Sequence, residues 1–148
     1  MNVTSPAFSY GDKIPPLYAG DGKNISPAIF WENTPENIKE YALICEDPDA
    51  PSRDPFVHWV VYKIPGYYPF LSEGEPGLST VGKNSFGEKG YNGPLPPRGR
   101  GEHRYFFRLY ALDKIMDLEP GLSKEELLKK INGHIVDQGE LMGKYIRN

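Results

Sequence analysis

The stretch Glu46-Asp47-Pro48-Asp49-Ala50-Pro51-Ser52-Arg53-Asp54-Pro55-Phe56-Val57-His58-Trp59-Val60-Val61 decides how this chain is read. An apolar run, Tyr41-Ala42-Leu43-Ile44-Cys45, ends in a burst of carboxylates and prolines, and a second apolar run begins with His58 at its mouth. Pro48, Pro51 and Pro55 each fix their own φ and restrict the residue before them, so the turn is stiff. Stiffness is useful where a few polar groups must be aimed. Asp47, Asp49 and His58 are expected to line one small polar pocket, which another segment completes. If the flanking strands are antiparallel neighbours, the end of one lies beside the start of the next, and Asp47 comes within reach of His58. A carboxylate there would orient the ring and favour its charged form.

The bulk of the chain sets the frame around that turn. At 148 residues, it has the size of a single domain, 1–148, able to bury a core. A net charge of −3 implies neither nucleic-acid nor membrane-surface electrostatics. Cys45 is the only cysteine, so no internal disulfide can form, and its apolar neighbours mark it as a small buried hydrophobe. The N-terminal residues carry no basic-then-apolar leader and no run approaches a membrane span, so a cytoplasmic location is expected.

Glycine and proline punctuate short runs rich in Val, Ile, Tyr, Phe and Trp, the pattern of a mainly β sandwich. Short edge strands and turns are expected over 1–30, including Ala7-Phe8-Ser9-Tyr10, followed by strands at 40–46 and 57–64 and an irregular stretch over 66–90 that contains Ser72-Glu73-Gly74-Glu75-Pro76-Gly77. In 57–64, alternation puts His58, Val60 and Tyr62 on one face. A Gly/Pro-rich turn over 91–102 feeds the strand 103–112, where His103, Tyr105, Phe107, Leu109 and Ala111 share a face. One helix is predicted at about 124–132. Ser123 and Glu126 form a capping box, Leu127, Leu128 and Ile131 give the apolar side, and Gly133 is the stop. Glu140–Ile146 reads as a last strand.

Two histidines that each begin a strand after a stiff loop point to convergence at one end of a sandwich. Their N–H groups, the Tyr105 phenol and loop amides are an inventory for a small anion such as phosphate or carboxylate. Across 98–108, four arginines against Glu102 leave a local charge of +3, serving either a ligand or only a solvated strand face. A histidine at a strand end also serves structure alone. Metal binding is disfavoured, because the three histidines lack ligand spacing and no cysteine cluster exists. No nucleophile elbow, phosphate loop or dinucleotide fingerprint is present, so neither a cofactor nor a catalytic residue is assigned.

Taken together, Asp47-Pro48-Asp49-Ala50-Pro51 with His58-Trp59, and Gly93-Pro94-Leu95-Pro96-Pro97-Arg98-Gly99 with His103-Arg104-Tyr105, resemble the paired signatures of the phosphatidylethanolamine-binding protein family, also called the Raf-kinase-inhibitor-protein family. Asn24–Trp31 and Gln138–Tyr145 match the family's early strand and its ending, and the chain is similar to the short bacterial and archaeal branch. The resemblance implies a Greek-key β-sandwich of two antiparallel sheets with an anion pocket for phosphate, acetate or a phospholipid headgroup. Position by position, it implies ligand contacts from Asp47, Asp49, Pro51, His58, Gly93, Leu95, Pro96, His103 and Tyr105, with Pro51 where the family uses a cis-proline. Longer eukaryotic members wall the pocket with a C-terminal helix, whereas this sequence ends just after its last expected strand. The resemblance also implies a homodimer. Binding of a small anion, with a regulatory role, is the leading expectation. A module inhibiting a kinase or protease comes second, and an acid/base hydrolase using Asp47 and His58 third.

Overall fold

Every residue of the run Glu40–Asp47 (β3) is buried, which requires a covered layer on each of its faces. The computed structural model, which describes residues 1–75, 77 and 79–148, supplies both. A five-stranded antiparallel sheet places β3 at its centre, between Phe56–Pro65 (β4) and His103–Leu112 (β7). Thr80–Val81 (β6) flanks β4, and Ile135–Tyr145 (β8) flanks β7. Asn2–Thr4 (β1), Ile29–Glu32 (β2) and Phe70–Leu71 (β5) form a second, three-stranded antiparallel sheet. The chain leaves β4 and returns as β7 on the far side of β3, the long crossover of a Greek key.

Between the sheets, Val3, Ile29, Trp31, Tyr41, Leu43, Cys45, Trp59, Val61, Phe107 and Leu109 form one core. The opposite face of the large sheet buries Ala42, Ile44, Val57, Val60 and Tyr62 under Met116, Leu122 and the helix Lys124–Ile131 (α1). Leu127 and Ile131, a turn apart, are fully buried there. Both halves of the capping box at Ser123 and Glu126 form, and Gly133 sits just past the helix at φ +87°.

β7 alternates as its sequence predicts, with Tyr105, Phe107, Leu109 and Ala111 all in the inter-sheet core. β4 does not. Cys45 opposes Trp59 while Glu46 opposes Val57, so His58 is the extra residue of a β-bulge. Val60 and Tyr62 therefore face the helix, whereas His58 joins Trp59 on the sandwich side against Tyr105. The expected shared face of His58, Val60 and Tyr62 is thus corrected.

Other expectations shift less. Ala7–Tyr10 is not a strand; the edge strand is Asn2–Thr4, and Phe8 is a core anchor. The last strand starts at Ile135 rather than Glu140, pairing with β7 from Leu112 to His103. The 66–90 stretch carries β5 and β6, while Pro76, placed in its loop by the sequence, lies outside the described residues. Among the described residues no helix is long and apolar enough to cross a membrane.

The capping box is directly measurable. Ser123→Ala removes the acceptor for the Glu126 N–H and should cost about 1 kcal/mol in chemical unfolding. For a domain of this size that lowers Tm by about 3 °C.

Candidate functional site

Where β3, β4 and β7 end together, a pocket of about 380 Å³ opens. Asp47, His58, His103 and Tyr105 form its base. Ala50, Pro51 and Ser52 from the β3–β4 turn form one wall, Leu95, Pro96 and Pro97 a second, and Phe56 with Phe86 a third. The sequence-derived segments 47–58 and 93–105 therefore do meet, but their internal partners differ from expectation.

Asp47 orients His103, not His58. Its Oδ2 accepts from His103 Nδ1 at 2.7 Å, with both side chains almost wholly buried. Its Oδ1 accepts the Asp49 N–H at 2.7 Å, an Asx turn that starts the proline loop. The reason is register. Within the hairpin, Asp47 faces Phe56, and the bulge carries His58 away, while the neighbouring β7 brings His103 alongside on the same face.

His58 instead donates from Nδ1 to the Asn92 carbonyl at 2.7 Å. Phe56, Phe86 and Tyr105 surround its ring, with centroids 5.2, 5.6 and 5.2 Å away. Burial among them pushes its pKa below the usual imidazole range, against the opposing pull of the Asn92 carbonyl and of Asp47. With Nδ1 committed on both rings, each Nε2 is the nitrogen left for a ligand. It accepts when the ring is neutral and donates when the ring is an imidazolium.

The Tyr105 hydroxyl is buried with no hydrogen-bond partner among the described residues. Burial first, and the nearby Asp47 charge second, push its pKa far above the usual phenol range, so it stays a neutral donor. A buried hydroxyl without a partner is costly, and it lies in the wall of this pocket.

Asp49 is not in the pocket. Its carboxylate accepts the backbone N–H of Arg104 and both Nε and Nη2 of its guanidinium, at 2.8–2.9 Å. That clamp holds the Asp49 carboxyl below the usual range and ties the proline loop to β7. Pro51 lines the pocket in trans, because no cis peptide occurs among the described residues. The Ser52 N–H bonds the Ala50 carbonyl across it at 2.7 Å, a three-residue turn that proline's fixed φ suits without isomerisation. Gly93 is not a wall either. A Cβ there would lie 1.9 Å from the Tyr18 carbonyl oxygen, so glycine is required for the close approach of two backbones. Leu95 stands at the rim, 39% exposed. Behind Pro96, Arg147 donates from Nε to its carbonyl at 2.7 Å and braces the loop.

Phe56, Phe86 and Pro97 line the pocket, and Asn92 and Asn24 support it from behind; none of the five was a candidate on sequence alone. Aromatic residues flanking His58 were the available signal for Phe56. Phe86 and the asparagines act across the fold and leave no local trace.

Both the sequence and the fold are similar to those of known proteins. The sequence profile described as phosphatidylethanolamine-binding protein matches residues 4–146. A UPF0098 protein of Methanothermobacter thermautotrophicus is 46% identical over 153 aligned positions, covering 99% of each chain. A crystal structure of a putative phosphatidylethanolamine-binding protein homologue from Chlamydia trachomatis superposes with a TM-score of 0.94 at 41% identity, over 99% of this chain and 97% of that one. Escherichia coli YbcL, described as a member of the mammalian family, gives a TM-score of 0.92 at 27% identity, over 99% and 98%. The chain belongs to the phosphatidylethanolamine-binding protein family.

Proposed function

We propose that this protein binds a small anion, a phosphate, a phosphate ester such as a phospholipid headgroup, or a carboxylate, in the pocket between the proline loop and the 93–102 loop. The observation that carries this reading is the pair of imidazoles whose Nδ1 atoms are engaged by Asn92 and Asp47 while both rings line one pocket. The anionic group meets the unpartnered Tyr105 hydroxyl and the His103 ring, while Nε2 of His58, an acceptor in the neutral ring, takes a hydroxyl or ammonium donor of the ligand. Its carbon portion lies against Phe56, Phe86, Leu95 and the prolines. The anion and the buried Asp47 carboxylate carry the same sign. The His103 ring, bonded to Asp47 through Nδ1, stands between the two. The role is reversible binding, in keeping with a regulatory protein, rather than turnover.

The test is a phosphate and phosphorylethanolamine titration followed on the histidine ring signals by NMR. The expected result is saturable shifts on both His58 and His103. Rings that stay unperturbed at millimolar ligand would sink the reading. His103→Gln keeps an amide that can donate to Asp47 but removes the ring Nε2 from the pocket, and should weaken binding by about tenfold, the worth of about one hydrogen bond.

Acidification also reads on His58. Burial lowers its pKa in the folded state, so between that value and the ~6.5 of an unfolded imidazole only the unfolded chain takes up a proton. The stability tied to neutral His58 is complete above ~6.5 and is lost as pH falls toward the folded pKa. Denaturant unfolding should therefore show wild type losing more stability than His58→Phe between about pH 7 and pH 5.5.

A further inference from the structure

We propose that Asn24, an early-loop residue outside the pocket, is a positioning residue that sets the tautomer and orientation of His58 by clamping the Asn92–Gly93 peptide. One peptide group carries both contacts. Its carbonyl accepts His58 Nδ1–H at 2.7 Å, and its N–H donates to Asn24 Oδ1 at 2.6 Å. A peptide whose N–H is engaged by a good acceptor has a more polarised carbonyl, and hydrogen bonds arranged in series strengthen each other. Asn24 therefore both aims that carbonyl and strengthens it as an acceptor.

The side-chain network admits a single sense. Gly93 N–H can only donate, so the Asn24 atom facing it is Oδ1 and its Nδ2 is left to donate. That Nδ2 lies 3.1 Å from Asn92 Oδ1, and Asn92 Nδ2 lies 3.1 Å from the carboxylate of Glu88, which accepts only. The Asn92 backbone N–H completes the frame by donating to the His58 carbonyl at 3.0 Å. His58 is thus gripped at its main chain by one side of residue 92 and at its ring by the other.

The backbone is shaped for this. Asn24 has φ +58°, a left-handed conformation that asparagine tolerates and glycine adopts freely. Gly93 is pressed against the Tyr18 carbonyl, Tyr91 donates its hydroxyl to that same oxygen at 2.7 Å, and Gly20 N–H bonds the Pro94 carbonyl at 2.8 Å. The 18–24 segment is therefore one rigid bracket behind residues 91–94. The inference deepens the binding reading by naming what fixes one of the two rings, and its first readout does not need a ligand.

Two variants separate positioning from mere support. Asn24→Gly keeps the left-handed backbone and deletes both side-chain bonds. Asn24→Asp keeps an acceptor for Gly93 N–H and deletes the donor to Asn92. Nitrogen-15 shifts of the His58 ring report its tautomer directly. The expected result is a wild-type Nδ1–H signature that persists in Asn24→Asp and averages toward the mixed tautomer in Asn24→Gly. Phosphate binding, measured separately, should weaken by about fivefold in Asn24→Gly, the share of one hydrogen bond. A His58 signature unchanged in Asn24→Gly overturns the proposal, even if Tm falls. If Asn24→Gly does not fold, loss of the Nδ1–H signature in Asn24→Asp overturns it instead. Failure of wild type to bind phosphate would remove the ligand reading and leave the tautomer result standing.

Discussion

The buried carboxylate of Asp47 is the constraint around which this end of the molecule is arranged. An ionised acid that is 2% exposed costs several kcal/mol unless donors surround it. Asp47 satisfies one oxygen with the first N–H group of the proline loop and the other with His103. One side chain thus joins the end of β3, the turn that follows, and the start of β7. It can do so because β3 is covered on both faces, so its end is held rigidly and cannot turn to solvent. Asp49 repeats the tie a step further out, through Arg104, where exposure makes the contact weaker and geometry its chief contribution.

The pocket then divides its labour. The prolines and aromatic rings exclude water and shape the space, while two fixed imidazoles and one phenol supply the polarity. Exclusion of water is visible in the directions of the pKa shifts: His58 is driven toward its neutral form and Tyr105 is kept protonated. At the base the Tyr105 hydroxyl is a neutral donor, His103 is held by Asp47, and neutral His58 turns an acceptor nitrogen toward the pocket.

Much of this was legible in the sequence, for reasons that differ by element. The period of two in 103–112 names its core face directly, since Tyr105, Phe107, Leu109 and Ala111 alternate with a face that carries Arg104 and Arg108. The capping box states the helix start in two residues. The paired motifs around 47–58 and 93–105 bring the pocket's principal residues to one place. What failed was partner assignment. Val57-His58-Trp59-Val60 carries no mark of the bulge, because apolar residues flank His58 on both sides and give alternation nothing to break. The switch of Asp47 from His58 to His103 follows from that bulge together with the β3–β7 pairing, which is non-local. The role of Asn92 escapes for a different reason: it acts on the ring through a backbone carbonyl, which every residue type possesses.

The bulge at His58 makes the pocket sensitive to counting rather than to chemistry. A strand has a two-residue pleat, and losing the unpaired residue's offset would return the Phe56–Val61 part of β4 to simple alternation. Point substitutions along β4 leave that parity untouched. Deletion of a single residue at the bulge would instead let β3 and β4 keep their pairing while the residue at the pocket base exchanged faces. Length at this position is thus more tightly constrained than identity. The frame of the strand, not any one of its side chains, keeps an imidazole on the ligand side of the sheet.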